Sequence, residues 1–269
     1  MRLLITGGSG FLGSHVVHAA RDTHEVFATH FAHPFAGGIL LDVCDEREVH
    51  SRFAELRPDA VIHTAYAKES RAVILEGSAN IASASHDCGA RLIHISTDVV
   101  FGGRRGGYRE SDSPDPLTDY GKLKAEAEAL VTRHAPEAVL ARTSLIYGLV
   151  GDDAQSRFVL DGIRSGQPVS LFADEFRCPI CVDDLAAALL ELLPLNVAGP
   201  LHIAGEERLS RYDFGVLLAR YHRLGTAPLV ATTPAALGML RPKDCSLDCT
   251  LARSLLKSRL RGAREVLKR

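Results

Sequence analysis

No sign of charge dominates this 269-residue chain: its formal net charge is -2 and its pI lies near 6.6. A nucleic-acid surface needs a concentrated basic patch, so that class of partner is not expected. Long apolar runs are missing too. The most apolar late stretch, Leu185 to Leu201, is cut by Glu191, Pro194 and Asn196, and no segment reads as a membrane span. The opening residues already read as a strand, which argues against a secretory leader, and the expectation is a soluble, cytoplasmic protein. Linkers and low-complexity stretches are absent, and a chain that is 46% hydrophobic and 24% charged can bury a large core. The six cysteines do not build a convincing metal site. Cys178-Pro-Ile-Cys181 and Cys245-x-x-x-Cys249 have the short spacings zinc uses. However, 178–182 reads as a strand running into a helix at Asp183, which would send the two sulfurs to opposite sides. No metal is expected, and Cys44 and Cys88 read as small buried thiols of a reducing compartment.

What is present is an alternation of strands and helices. The pattern predicts strands at 2–6, 25–31, 40–43, 59–65, 91–96 and 138–143. Between them it predicts helices at 11–21, 45–56 and 73–88, and one carrying Tyr120 behind a Thr118 or Asp119 cap. Later helices are expected at 183–193 and 210–221. The fold class expected is α/β, a Rossmann-type doubly wound parallel sheet with right-handed crossovers and a smaller C-terminal lobe. Residues 1–144 would form the dinucleotide-binding domain and 145–269 mainly a substrate lobe, with 183–204 returning to the sheet.

Two local patterns carry chemistry. In Thr6-Gly-Gly-Ser-Gly-Phe-Leu-Gly13 a strand runs into glycines and then a helix. Gly7, Gly10 and Gly13 would allow a tight turn, close approach of a pyrophosphate, and close packing of helix on strand. In Tyr120-Gly-Lys-Leu-Lys124 the tyrosine and the second lysine share a helix face. A neighbouring ammonium favours the ionised phenol, which makes Tyr120 a usable proton carrier, and Thr97 could orient a reacting carbonyl. Alone, a Tyr and Lys at this spacing are an ordinary amphipathic surface. Their conjunction with the glycine turn is what points to a nicotinamide-dependent reductase.

Further segments extend these patterns: Leu41-Asp-Val43, Pro58-Asp-Ala-Val-Ile-His63 with Ala65-Tyr66, Ile95-Ser-Thr-Asp98, Arg142-Thr-Ser144, Leu201-His-Ile-Ala-Gly205 and Arg241-Pro242. On these residues the chain resembles the extended short-chain dehydrogenase/reductase superfamily, and within it the dTDP-4-dehydrorhamnose reductase family, over nearly its full length. The resemblance implies a catalytic set of Thr97, Tyr120 and Lys124. It implies cofactor contacts from Gly7, Ser9, Gly10, Phe11, Leu12, Gly13, His30, Asp42, Val43, Ala65 and Tyr66, together with Tyr120 and Lys124. Substrate contacts would come from Thr97, Asp98, Val99, Leu145 and Arg241, with Arg241 offering a planar fork to a nucleotide diphosphate.

The expected reaction is reduction of a carbonyl, the 4-keto group of a nucleotide-linked deoxysugar. Four departures bear on the substrate: Val99 and Leu145 stand where the family has aromatics, the segment after Ala65-Tyr66 is shortened, and Arg177-Cys-Pro-Ile180 replaces the family's GSPT. The alternatives are an epimerase, a reductase of a carbonyl without a nucleotide, and a non-catalytic subunit similar to the methionine adenosyltransferase β subunit. The cofactor expected is NADPH, with NADH as the alternative. No Asp or Glu stands at the end of the second strand to hold the ribose hydroxyls, and between Glu25 and Asp42 the only ionisable side chains are His30 and His33. The partner expected is a small molecule, a nucleotide sugar, with a homodimer allowed.

Overall fold

The computed structural model describes residues 1–268. In chain order the elements are β1 (Arg2–Thr6), α1 (Phe11–Ala20), β2 (Glu25–His30), β3 (Ile39–Leu40), α2 (Glu46–Leu56), β4 (Ala60–His63), α3 (Arg71–Asp87), β5 (Arg91–Thr97), α4 (Asp119–His134) and β6 (Val139–Thr143). There follow β7 (Ile146–Tyr147), α5 (Ala154–Arg164), β8 (Val169–Phe172), β9 (Phe176–Arg177), β10 (Ile180–Cys181), α6 (Val182–Leu192) and β11 (Gly199–His202). The last are β12 (Leu209–Ser210), α7 (Arg211–Tyr221), β13 (Leu229–Thr232), α8 (Thr250–Leu255) and α9 (Ala263–Val266).

Seven strands form one sheet in the order β11-β6-β5-β4-β1-β2-β3. The pairs β3–β2, β2–β1, β1–β4 and β4–β5 run parallel. Leu3, Leu4 and Ile5 of β1 are fully buried, as a parallel strand covered on both faces requires. One face is filled by Leu4, Val61, Leu92 and Leu140 from successive strands, against Val49, Phe53 and Leu56 of α2 and Ile81 of α3. Each such side chain contributes about 1.5–3 kcal/mol by leaving water. The order reverses at β1, and Gly7 at its end lies against Ala65 beyond β4, at the switch point where open α/β sheets bind ligands.

Local chemistry sets the boundaries. Asp45 caps α2 by accepting the Glu48 amide at 3.0 Å, Ser70 caps α3 through Val73, and Thr118 Oγ1 accepts the Gly121 amide in the first turn of α4. Five of the six expected strands differ in extent, the second and sixth by one residue each. The third is Ile39–Leu40 rather than 40–43, because Asp42 Oδ1 accepts the Cys44 amide and turns the chain. The fourth stops at His63, since Thr64 Oγ1 folds back to donate to Thr6 O at 2.6 Å. The fifth continues through Thr97. The stretch 178–182 is not one strand: β10 starts only at Ile180, α6 begins at Val182, and both Cys178 and Cys181 are buried, whereas Cys44 is half-buried and Cys88, at the C-terminal end of α3, is exposed rather than buried as expected.

The described residues divide into two compact units. The first comprises Met1–Thr97, Lys122–Arg142 and Ala186–Leu201; the second comprises Asp98–Gly121, Thr143–Leu185 and the residues from His202 onward. The second unit has its own core, in which Tyr147, Val159, Leu171, Phe214, Leu218 and Leu229 join α5, α7 and the parallel pair β8–β13. Among the described residues no helix is long and apolar enough to cross a membrane.

Candidate active site

The glycine turn is built from backbone in close contact. Gly7 has φ +69°, and a Cβ there would fall 2.7 Å from Ala65 Cα. At Gly13 a Cβ would fall 2.2 Å from Gly7 O, so α1 packs on the turn only because no side chain intervenes. Gly10 is the N-cap of α1 and provides no side-chain cap. The first-turn amides of α1 therefore keep their donors and the positive end of the helix dipole for an anion. This cradle suits a dinucleotide pyrophosphate, with Ser9 and Gly10 exposed, Phe11 half-buried and Leu12 packed inside.

Beyond β2, His30 meets Phe35 edge-on at 5.9 Å, and its Nδ1 is buried with no partner. Asp42 Oδ1 accepts the Cys44 amide in a local turn, and the cap of α2 is Asp45. Val43 is buried against Gly77. The Ala65 amide donates to Thr6 Oγ1 at 3.3 Å, and Tyr66 is exposed.

Thr97 is the last residue of β5 and half-buried. Tyr120 and Lys124 stand one turn apart on α4, as i and i+4. Lys124 is only 7% exposed; its Nζ donates to Ile95 O at 2.8 Å and lies 3.3 Å from His94 Nε2. Burial pulls the Lys124 ammonium down to about 8, against the opposing pull of Glu128. Glu128 is itself engaged by Ser96 and by Arg142 Nε and Nη2. Burial, and then the charge of Lys124, depress His63 to about 3, and the same two causes carry His94 well below the usual histidine range.

In the second unit the expected substrate residues Asp98 and Arg241 belong to one buried network. Asp98 accepts from Arg177 Nη1 at 2.7 Å and from Ser144 Oγ at 2.6 Å. Arg177 Nη2 also donates to Glu175, and Arg241 grips that same carboxylate with Nε at 2.9 Å and Nη2 at 3.1 Å. Glu175 is fully buried. Burial would raise its carboxyl, but the hydrogen bond from Arg241 and the charges of Arg177, Arg241 and Arg211 hold it below the usual range. The partner of Arg241 is thus Glu175. Val99 and Leu145 are half-buried.

His63, His94, Glu128 and Glu175 were not picked out as site residues. His63 lies within a motif but carries no site signal of its own, and Glu175 has no local signal because Arg211 and Arg241, which face it, come from distant segments. Burial pushes the Cys178 thiol up to about 11 and Cys249 up to about 12, which keeps both neutral. Among the described residues no group of three or more His, Cys, Asp or Glu could hold a metal ion.

Known proteins resemble the chain over nearly all of it. It is 30% identical to dTDP-4-dehydrorhamnose reductase of Aggregatibacter actinomycetemcomitans over 93% of this chain and 91% of that one. It is 27% identical to methionine adenosyltransferase 2 subunit beta of Pongo abelii, over 94% and 82%. A solved hypothetical dTDP-4-dehydrorhamnose reductase from Sulfolobus tokodaii superposes with a TM-score of 0.87 at 30% identity, covering 97% of each chain. The dTDP-4-dehydrorhamnose reductase of Bacillus anthracis, solved in complex with NADP, superposes at 0.89 with 24% identity over 98% and 96%, a likeness of fold. The RmlD substrate binding domain family matches residues 1–269, and the chain belongs to that family.

Proposed function

We propose that the protein is an NADPH-dependent oxidoreductase that reduces the 4-keto group of a nucleotide-linked deoxysugar, as the dTDP-4-dehydrorhamnose reductases do. The observation that carries this reading is the conjunction of a side-chain-free cradle at Gly7, Gly10 and Gly13 with a buried Lys124 one helical turn from Tyr120. The cradle would hold the pyrophosphate on the amides of α1. Beyond β2 no carboxylate waits for a ribose 2′-hydroxyl, and the buried, unpartnered His30 Nδ1 suits a 2′-phosphate. NADPH is therefore preferred, with NADH as the alternative, and the bound cofactor supplies the hydride.

The chain's own residues supply the rest. Thr97 orients the carbonyl, Tyr120 gives its proton to the developing alkoxide, and Lys124 favours the ionised phenol between turnovers. In the second unit three guanidiniums, Arg177, Arg211 and Arg241, meet two carboxylates, Glu175 and Asp98, an excess of positive charge suited to a diphosphate. Free thiols suit a reducing, cytoplasmic compartment. A regulatory-subunit role, suggested by the likeness to subunit beta, would not need Thr97, Tyr120 and Lys124 together.

The test is oxidation of NADPH by the purified protein with dTDP-4-dehydrorhamnose, against simple ketones lacking a nucleotide. Turnover confined to the nucleotide sugar supports the reading. Turnover of the simple ketones alone moves the substrate to a small carbonyl compound, and tightly bound NAD without net turnover moves the chemistry to an epimerase.

A further inference from the structure

Two histidines that the proposed mechanism does not use sit inside the sheet beside Lys124. His63 on β4 is 2% exposed and His94 on β5 is 1% exposed, with ring centroids 5.3 Å apart and planes tilted by 30°. Packing a parallel sheet does not call for them, since Val, Leu or Ile would fill those positions without burying polar nitrogens. We propose that His94 is a positioning residue for Lys124, its Nε2 accepting from the ammonium while the His63 ring packs beside it.

The tautomer of His94 follows from donor and acceptor chemistry. An ammonium only donates, so at 3.3 Å from Lys124 Nζ the His94 Nε2 presents its lone pair and the ring proton sits on Nδ1. His94 Nδ1 and His63 Nε2 have no hydrogen-bond partner, so the two rings meet by packing alone. His63 Nδ1 lies 2.6 Å from Thr6 Oγ1, which also accepts the Ala65 amide.

The groups facing Lys124 are few. Glu128 approaches from its own helix, with Tyr120 one turn before; β5 supplies His94 and the Ile95 carbonyl, and β4 supplies His63. The Glu128 charge is taken up by Arg142 and Ser96. Burial favours loss of the lysine proton, so each acceptor around Nζ extends the pH range over which the ammonium persists.

The test is side-chain NMR of protein labelled with [15N]lysine, practical because the chain has only six lysines, with Lys124 assigned by its loss in Lys124→Arg. His94→Phe keeps a ring but removes the acceptor, and it should lower the Lys124 midpoint by about one pH unit. His94→Gln, whose Oε1 accepts, should restore it to within a few tenths. Equal midpoints in the wild type and His94→Phe would overturn the proposal. Should the Phe variant not fold, [15N]histidine shifts of the wild type decide: a neutral Nδ1–H tautomer of His94 supports it, and an Nε2–H tautomer overturns it. The kinetic arm alone rests on the reductase reading: the alkaline limb of kcat should move down in His94→Phe and return in His94→Gln. If that reading fails, the wild type shows no turnover at all while the NMR midpoints still report on His94.

Discussion

The two units treat buried charge in opposite ways. In the first, apart from the buried Glu128–Arg142 pair, ionisable groups are stripped of water without a counter-charge in contact: Lys124 falls to about 8 and His63 to about 3. In the second, buried charges are kept by pairing. Asp98 holds Arg177, whose guanidinium is raised despite burial, and Glu175 holds Arg177 and Arg241. The physics is the same desolvation in both cases; the difference is whether an opposite charge lies within hydrogen-bonding distance. A group left near its titration point can move a proton near neutral pH, whereas a paired guanidinium offers a fixed charge and a fixed geometry. That division sets a Lys124 poised to exchange its proton in the first unit against fixed positive charges in the second.

The sharpest way to break the comparison is at the proton carrier. Tyr120→Phe should cut carbonyl reduction by about 10²–10⁴ while NADPH binding, followed by fluorescence, survives, because the ring remains and only the hydroxyl is lost. Near wild-type turnover would remove Tyr120 from the chemistry. Next in size is the paired network. Glu175→Gln leaves three guanidiniums facing the single carboxylate of Asp98, and unfolding stability should fall by about 3–5 kcal/mol in a denaturant titration. An unchanged transition midpoint would mean that pairing is not what holds the charge there.

The unpaired histidines predict a milder effect in acid. His63 is neutral in the folded protein down to about pH 3 but takes a proton near 6.5 when unfolded, so between those values the unfolded chain binds more protons. Stability is complete above about pH 6.5 and falls as the pH drops, by about 2 kcal/mol at pH 5 from this residue. His63→Gln should flatten that slope in melts across the range, and an identical slope would assign the acid sensitivity elsewhere. The smallest effect expected is on cofactor choice. His30→Asp places a carboxylate where a 2′-phosphate would lie and should shift preference toward NADH, read as the ratio of kcat/KM for the two cofactors. An unchanged ratio would show that His30 does not face the ribose.

What could be read from the amino-acid order alone was whatever depends on near neighbours. The turn of Gly7, Gly10 and Gly13 follows from backbone freedom at a strand-to-helix junction, and the shared face of Tyr120 and Lys124 follows from the helical repeat. The caps at Asp45, Ser70 and Thr118 are equally local. Strand ends were less legible at Asp42 and Thr64, where a side chain bonds backbone within a turn or across to the next strand. Tertiary structure alone decided the charge state of the site. His94 lies thirty positions before Lys124 and His63 thirty-one before His94, yet the parallel pairing of β4 with β5 brings the two rings side by side under α4. Asp98 and Arg177 are 79 positions apart, and Glu175 and Arg241 are 66 apart. Residue type and local spacing determined which groups could ionise; burial and distant partners, which exist only once the chain has folded, determined which of them do.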